Sequence, residues 1–263
     1  MFKNIKKLWV GIALATGAAG FLYASEPLKV GMELAYPPFE MSDKQGKPTG
    51  VSVDFAKALA KALDRPLEIK NIAWTGLIPS LKTKKIDLII SSMTITKERQ
   101  KVISFSIPYA QSNLAILTNP KANVKNIKDL NKKGKVVAVK QGSTGHTWAR
   151  EHLKNATIMP FDKENTAILE VIQGKADGFL YDQLTIYKNW KKHPKKTIAL
   201  LKPFQKKPEY WGVALRKKDT KLKKQVDEFI KKAKSDGTFD GFSHKHLKEA
   251  KETFDQLNIP FFF

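Results

Sequence analysis

A chain of 263 residues, 42% of them hydrophobic, is long enough to bury a core as one large or two medium domains. It contains no cysteine, which excludes a disulfide framework, a thiolate metal site, a Cys nucleophile and a lipid-anchored N-terminus. The formal charge of +22 raises nucleic-acid binding, but the lysines are scattered (Lys82, Lys84, Lys85; Lys191, Lys192; Lys206, Lys207; Lys231, Lys232) without an arginine-rich block, so they read as solvated faces and no nucleic-acid partner is expected.

The chain opens with Met1, a basic patch of Lys3, Lys6 and Lys7, and an apolar run from Leu8 to Tyr23. This is the layout of a cleavable signal peptide over residues 1–24, and the run is shorter than the ~20 residues a spanning helix needs. Short apolar runs then alternate with helical patterns, which argues for sheets covered by helices. Strands are expected at Leu28 to Leu34, Leu67 to Ile72 and Ile86 to Ile90, with helices at Val51 to Leu63 and Gly76 to Lys84. A second set repeats this plan. After a helical turn near Asn126 come strands Val136 to Lys140, Thr157 to Pro160 and Gly178 to Tyr181, separated by helices from Ser143 and over Asn165 to Gln173. Strand Leu114 to Thr118 enters this half and Leu201 to Phe204 leaves it. Strand Tyr210 to Leu215 and helices Lys221 to Lys234 and Phe239 to Leu247 follow. The terminal Phe261, Phe262 and Phe263 are too few to span a membrane.

In an open α/β sheet, ligands bind beyond the carboxyl ends of the strands, which makes the polar cluster Ser91, Ser92 and Thr94 a site candidate. Asp182 ends its strand and Asp177 begins it, so Asp182 faces the cleft and Asp177 is structural. Ser143 and Thr144 open a helix, where free backbone N–H groups favour a carboxylate and the hydroxyls also suit capping; the two roles are compatible. Only four arginines stand against 43 lysines, so arginine at position 99 is not this chain's default cation.

The stretches AYPPFE (Ala35 to Glu40), GVSVDFAKALAKAL (Gly50 to Leu63), WTGLIPSLKTKKIDLIISSMTITKERQ (Trp74 to Gln100), VVAVKQGSTG (Val136 to Gly145), GKADGFLYD (Gly174 to Asp182) and SDGTF (Ser235 to Phe239) together resemble the polar amino-acid family of periplasmic solute-binding proteins. The resemblance implies an α/β, two-lobed periplasmic-binding-protein fold of type II, each lobe a mainly parallel sheet flanked by helices, joined by a two-strand hinge. Residues 25–115 and 204–263 would form the first lobe and 116–203 the second. It implies a monomer in the periplasm that captures a free amino acid by lobe closure and delivers it to ABC permease subunits in the inner membrane. No enzyme activity, cofactor or metal is expected; a dehydratase on the same scaffold is the rival reading.

A free amino acid is a zwitterion, and burying either charge unpaired costs several kcal/mol. By resemblance, Arg99 grips the ligand carboxylate with a two-pronged hydrogen bond and Asp182 accepts the ammonium. Ser92 and Thr94 add hydrogen bonds, while Ser91 shapes their loop. Tyr36 and Trp74 flank the ligand side chain, and Glu33 faces its distal end. A carboxylate there suits a cationic amino acid first (lysine, arginine, ornithine), then glutamine or histidine. Gly145 and His146 depart from the family, which commonly has glutamine after the small hydroxyl pair; His146 is expected to face solvent.

Overall fold

The structure, a computed structural model, describes residues 25–263; the expected signal peptide lies outside the described residues. The chain builds two five-stranded sheets. The first runs in the order Leu67–Asn71, Leu28–Met32, Leu88–Ile89, Ala214–Leu215, Ser104–Phe105. The second runs Thr157–Phe161, Val136–Lys140, Gly178–Asp182, Leu114–Thr118, Ile198–Leu200. In each sheet the first three strands are parallel and the last two join antiparallel. Each sheet is thus mixed in its pairing but mainly parallel in strand direction, as expected, with four strands running one way and a single strand reversed between the last of them. Parallel neighbours require a crossover, which the helices Val51–Ala62, Trp74–Lys82, Thr144–His152 and Glu164–Ile172 supply. The strands Leu114–Thr118 and Ala214–Leu215 arrive directly from the neighbouring sheet and pair antiparallel.

Both faces of each sheet are covered. Phe55, Leu59, Val226 and Phe254 pack on one side of the first sheet and Leu77, Leu81 and Ile103 on the other. The second sheet carries Ile168, Val171 and Ile186 on one face and Ala149, Leu153 and Leu130 on the other. Helix Val51–Ala62 starts at Gly50, whose φ of 118° and whose position, with a Cβ only 2.4 Å from the Phe39 carbonyl oxygen, admit glycine alone.

Two strands link the sheets. Ala110–Ser112 and Glu209–Trp211 pair antiparallel, with Ser112 opposite Glu209 and Ala110 opposite Trp211. The expected return strand at Leu201 to Phe204 is absent: the second sheet closes with Ile198–Leu200, and residues 201–208 run as loop to the crossing strand. The expected strand Tyr210 to Leu215 is likewise two strands, Glu209–Trp211 in the crossing pair and Ala214–Leu215 in the first sheet. The last helix reaches from Thr238 to Gln256, well past Leu247. Beyond it, Phe262 is buried against Phe39 (ring centroids 4.9 Å apart), and its carbonyl accepts the Gln111 N–H at 2.8 Å. The terminal phenylalanines thus pack on the first sheet's core and back one crossing strand. The sequence reading also missed two helices, Lys97–Val102 and Gln183–Lys192.

Candidate functional site

The carboxyl ends of the parallel strands of both sheets face each other across one cavity. All ten residues singled out from the sequence line it: Glu33, Tyr36, Trp74, Ser91, Ser92, Thr94 and Arg99 from the first half, Ser143, Thr144 and Asp182 from the second. Seven others complete the wall, namely Glu40, Ser112, Leu114, Lys140, Tyr181, Glu209 and Trp211.

At one end, Arg99 projects from the short helix Lys97–Val102, whose N-terminus is capped by Thr96. Its Nη1 donates to the Thr94 carbonyl at 2.7 Å and its Nη2 reaches across to the Gly142 carbonyl at 3.1 Å. Two of the five guanidinium donors are thus spent on orientation, leaving a held fork with donors to spare. Burial lowers its pKa to about 10, opposed by the negative charge of Glu209, so it stays cationic at neutral pH. Facing it, Ser143 caps helix Thr144–His152 by accepting the His146 N–H at 3.1 Å. Gly145 allows this helix to lie on strand Gly178–Asp182, since a Cβ there would be 2.5 Å from the Leu180 carbonyl oxygen. Glu209, on the crossing strand, sits between the two halves: its Oε2 accepts the Thr94 hydroxyl at 3.1 Å and the Thr144 hydroxyl at 2.8 Å.

Asp182 ends its strand and caps helix Gln183–Lys192, with Oδ1 accepting the Thr185 N–H at 2.9 Å. Its Oδ2 is buried without a hydrogen-bond partner among the described residues. Burial raises the carboxyl pKa against the pull of the Thr185 hydrogen bonds and of the nearby Tyr36 hydroxyl. Tyr36 is buried in the same wall, stacked on Phe39 and edge-on to Tyr181 at 5.8 Å. Asp177 lies away from the cavity, paired with Lys135 at 2.8 Å and accepting the Val136 N–H. His146 also turns away, its Nδ1 accepting the Gly142 N–H at 3.1 Å.

At the other end of the cavity, Glu33, expected to face the distal end of a ligand, is engaged by the protein itself. Its Oε1 accepts the Trp74 N–H at 3.3 Å, filling the cap that Ala73 cannot provide, and its Oε2 is ion-paired with Lys140. Lys140, 3% exposed, also reaches Glu164 at 3.3 Å. Burial pushes the Glu164 carboxyl up to about 7, with Lys140 opposing. The Trp74 ring lies beneath both cations, 5.3 Å from the Arg99 guanidinium carbon and 5.7 Å from the Lys140 ammonium.

Ser91 and Ser92 line the wall but spend their hydroxyls on Glu40: Ser91 donates to Oε1 at 3.2 Å, Ser92 to Oε2 at 3.0 Å, and Ser52 also donates to Oε2, at 2.6 Å. Glu40 is fully buried, and desolvation raises its pKa to about 8 despite these three donors.

A held guanidinium fork and a buried carboxylate oxygen without a hydrogen-bond partner among the described residues thus stand in one cleft. The sequence profile of the bacterial extracellular solute-binding proteins, family 3, matches residues 28–249, nearly all of the described chain. The chain belongs to that family. Among its members, the L-cystine-binding protein TcyJ of Escherichia coli strain K12 is 34% identical over 220 residues, covering 83% of this chain and 81% of that protein. The crystal structure of AncCDT-1, an ancestral amino acid-binding protein and precursor of cyclohexadienyl dehydratase, superimposes with a TM-score of 0.75 at 37% identity, covering 84% of this chain and 95% of that one. An ancestral arginine-binding protein bound to arginine gives a TM-score of 0.77 at 33% identity, covering 84% and 98%. The family's two-lobed architecture accounts for the two sheets and the strand pair between them.

Proposed function

We propose that this protein is the periplasmic binding component of an ABC importer and captures a polar L-amino acid between its two halves. The observation that carries the reading is Asp182 Oδ2, buried without a partner in the same cavity as the Arg99 fork. A carboxylate oxygen left unpaired in a protein interior is costly, and a ligand ammonium is the group that would satisfy it. The ligand carboxylate then meets Arg99 and the N-terminus of helix Thr144–His152. Arg99 and Asp182 complement the two ends of a zwitterion, so capture rather than dehydration is the role proposed.

At the distal end, the Glu33–Lys140 pair offers an acceptor and a donor side by side. We therefore place ligands whose far end carries both complements first: the amide of glutamine, or the second zwitterionic end of cystine. A cationic amino acid is the second reading, supported by the two carboxylates, Glu33 and Glu164, set around the single Lys140 ammonium.

Calorimetry of refolded, ligand-stripped protein against the twenty amino acids, ornithine and cystine tests this. Glutamine or cystine should bind best. Tightest binding of lysine, arginine or ornithine would favour the second reading, and no binding of any of them would refute the assignment.

A further inference from the structure

We propose that Glu209 is a built-in occupant of the ligand-carboxylate subsite, which an incoming amino acid must displace. The inference rests on the binding reading above and adds a residue that sets affinity from outside the ligand's own contacts. The Thr94 hydroxyl belongs to the loop whose carbonyl holds Arg99, and the Thr144 hydroxyl opens the helix that faces Arg99. Both hydroxyls converge on one oxygen, Glu209 Oε2, at 3.1 Å and 2.8 Å. An anionic oxygen held by these two hydroxyls, close enough to the Arg99 guanidinium to raise its pKa, stands where a ligand carboxylate would stand.

The position of Glu209 in the chain suits this role. Its backbone is fixed opposite Ser112 in the crossing strands, while the residues before it, 201–208, are loop. Its second oxygen, Oε1, accepts only the Gln205 amide at 3.0 Å, from that same loop. In the proposed displacement the side chain moves toward that loop and leaves both sheets in place. Two carboxylates cannot share the subsite without strong repulsion, so ligand and Glu209 alternate. The same oxygen ties Thr94 on the first half to Thr144 on the second, which makes Glu209 a bridge between the two halves. A ligand that meets a subsite already filled for most of the time binds with an apparent affinity reduced by the vacant fraction.

The test compares wild type, Glu209→Ala and Glu209→Gln by calorimetry with L-glutamine, L-cystine and L-arginine, and by small-angle X-ray scattering with and without ligand. Glu209→Ala should bind the wild type's preferred amino acid about tenfold more tightly, as expected if the subsite is vacant about a tenth of the time. Its ligand-free radius of gyration should exceed that of wild type and return to the wild-type value on ligand addition. Glu209→Gln, which keeps an acceptor but loses the charge, should fall between them and guards against a folding defect in the alanine variant. Equal or weaker affinity in both variants, or an unchanged ligand-free radius, would overturn the proposal. If wild type binds none of the amino acids, the binding reading fails and displacement fails with it, while the ligand-free radius still decides whether Glu209 bridges the halves.

Discussion

Lys140, the last residue of a strand in the second sheet, is ion-paired with Glu33, which follows a strand in the first. The pair crosses the cleft, is largely removed from water, and decides what the distal end of the cavity offers. A free Glu33 would call for a cation; a paired one does not.

Replacing Lys140 with methionine should therefore move selectivity toward cationic ligands. The substitution keeps the stem's packing on Trp74 and releases Glu33, with Glu164 close behind it. Breaking a buried pair costs ~3–5 kcal/mol, so the ligand-free melting midpoint should fall. Arginine should then raise that midpoint more than glutamine does, the reverse of the wild-type order. Unchanged selectivity in thermal-shift titrations would place Lys140 outside the distal end.

Arg99→Ala should lower affinity for every amino-acid ligand by at least about a hundredfold, because it removes the cation for the carboxylate. Arg99→Lys should also bind poorly, since a point charge cannot reproduce a fork held by the Thr94 and Gly142 carbonyls. Calorimetry on variants with native circular dichroism checks both.

Asp182→Asn should weaken binding strongly without lowering the ligand-free midpoint. Asparagine caps a helix as well as aspartate does, so the bond from Thr185 survives, and the variant removes a buried charge whose Oδ2 has no partner. A large drop in the ligand-free midpoint would make Asp182 structural.

Glu40 predicts a pH dependence of stability. Its pKa rises from its ordinary value of 4.5 to about 8 on folding, so within that window the folded protein holds a proton that the unfolded chain has released. Stability from this group is full below pH 4.5 and declines as pH rises toward 8, with a limiting slope of about 1.4 kcal/mol per pH unit. Glutamine at this position cannot ionise; its oxygen can accept from Ser52 and Ser92, and its amide NH2 can donate to the Ser91 hydroxyl. Denaturant midpoints of Glu40→Gln should lose that component of the slope between pH 5 and 8, visible as a rise relative to wild type at the alkaline end.

The sequence alone located the ends of the site. Ser91, Thr94 and Asp182 stand at or just past the carboxyl ends of apolar runs, where an α/β sheet gathers its polar ends, while Arg99 was marked by the family resemblance, and all four line one cavity. Lys140 ends such a run too, and the same rule would have marked it. Chain position cannot show, however, that its ammonium reaches a carboxylate 107 residues away. Glu40 was legible only as part of AYPPFE, because its burial depends on three serines brought from two other segments. Glu209 carried no local signal: it follows a loop rich in lysine and proline, and its place between Thr94 and Thr144 exists only once the crossing strands pair. Hydrophobic periodicity and strand-end polarity are local and marked the α/β elements and the polar strand ends from sequence, while the two-lobed plan and the expected ligand contacts came from the family resemblance. Which charges in that cleft are already spent is set by long-range pairing, and only the tertiary structure decided it.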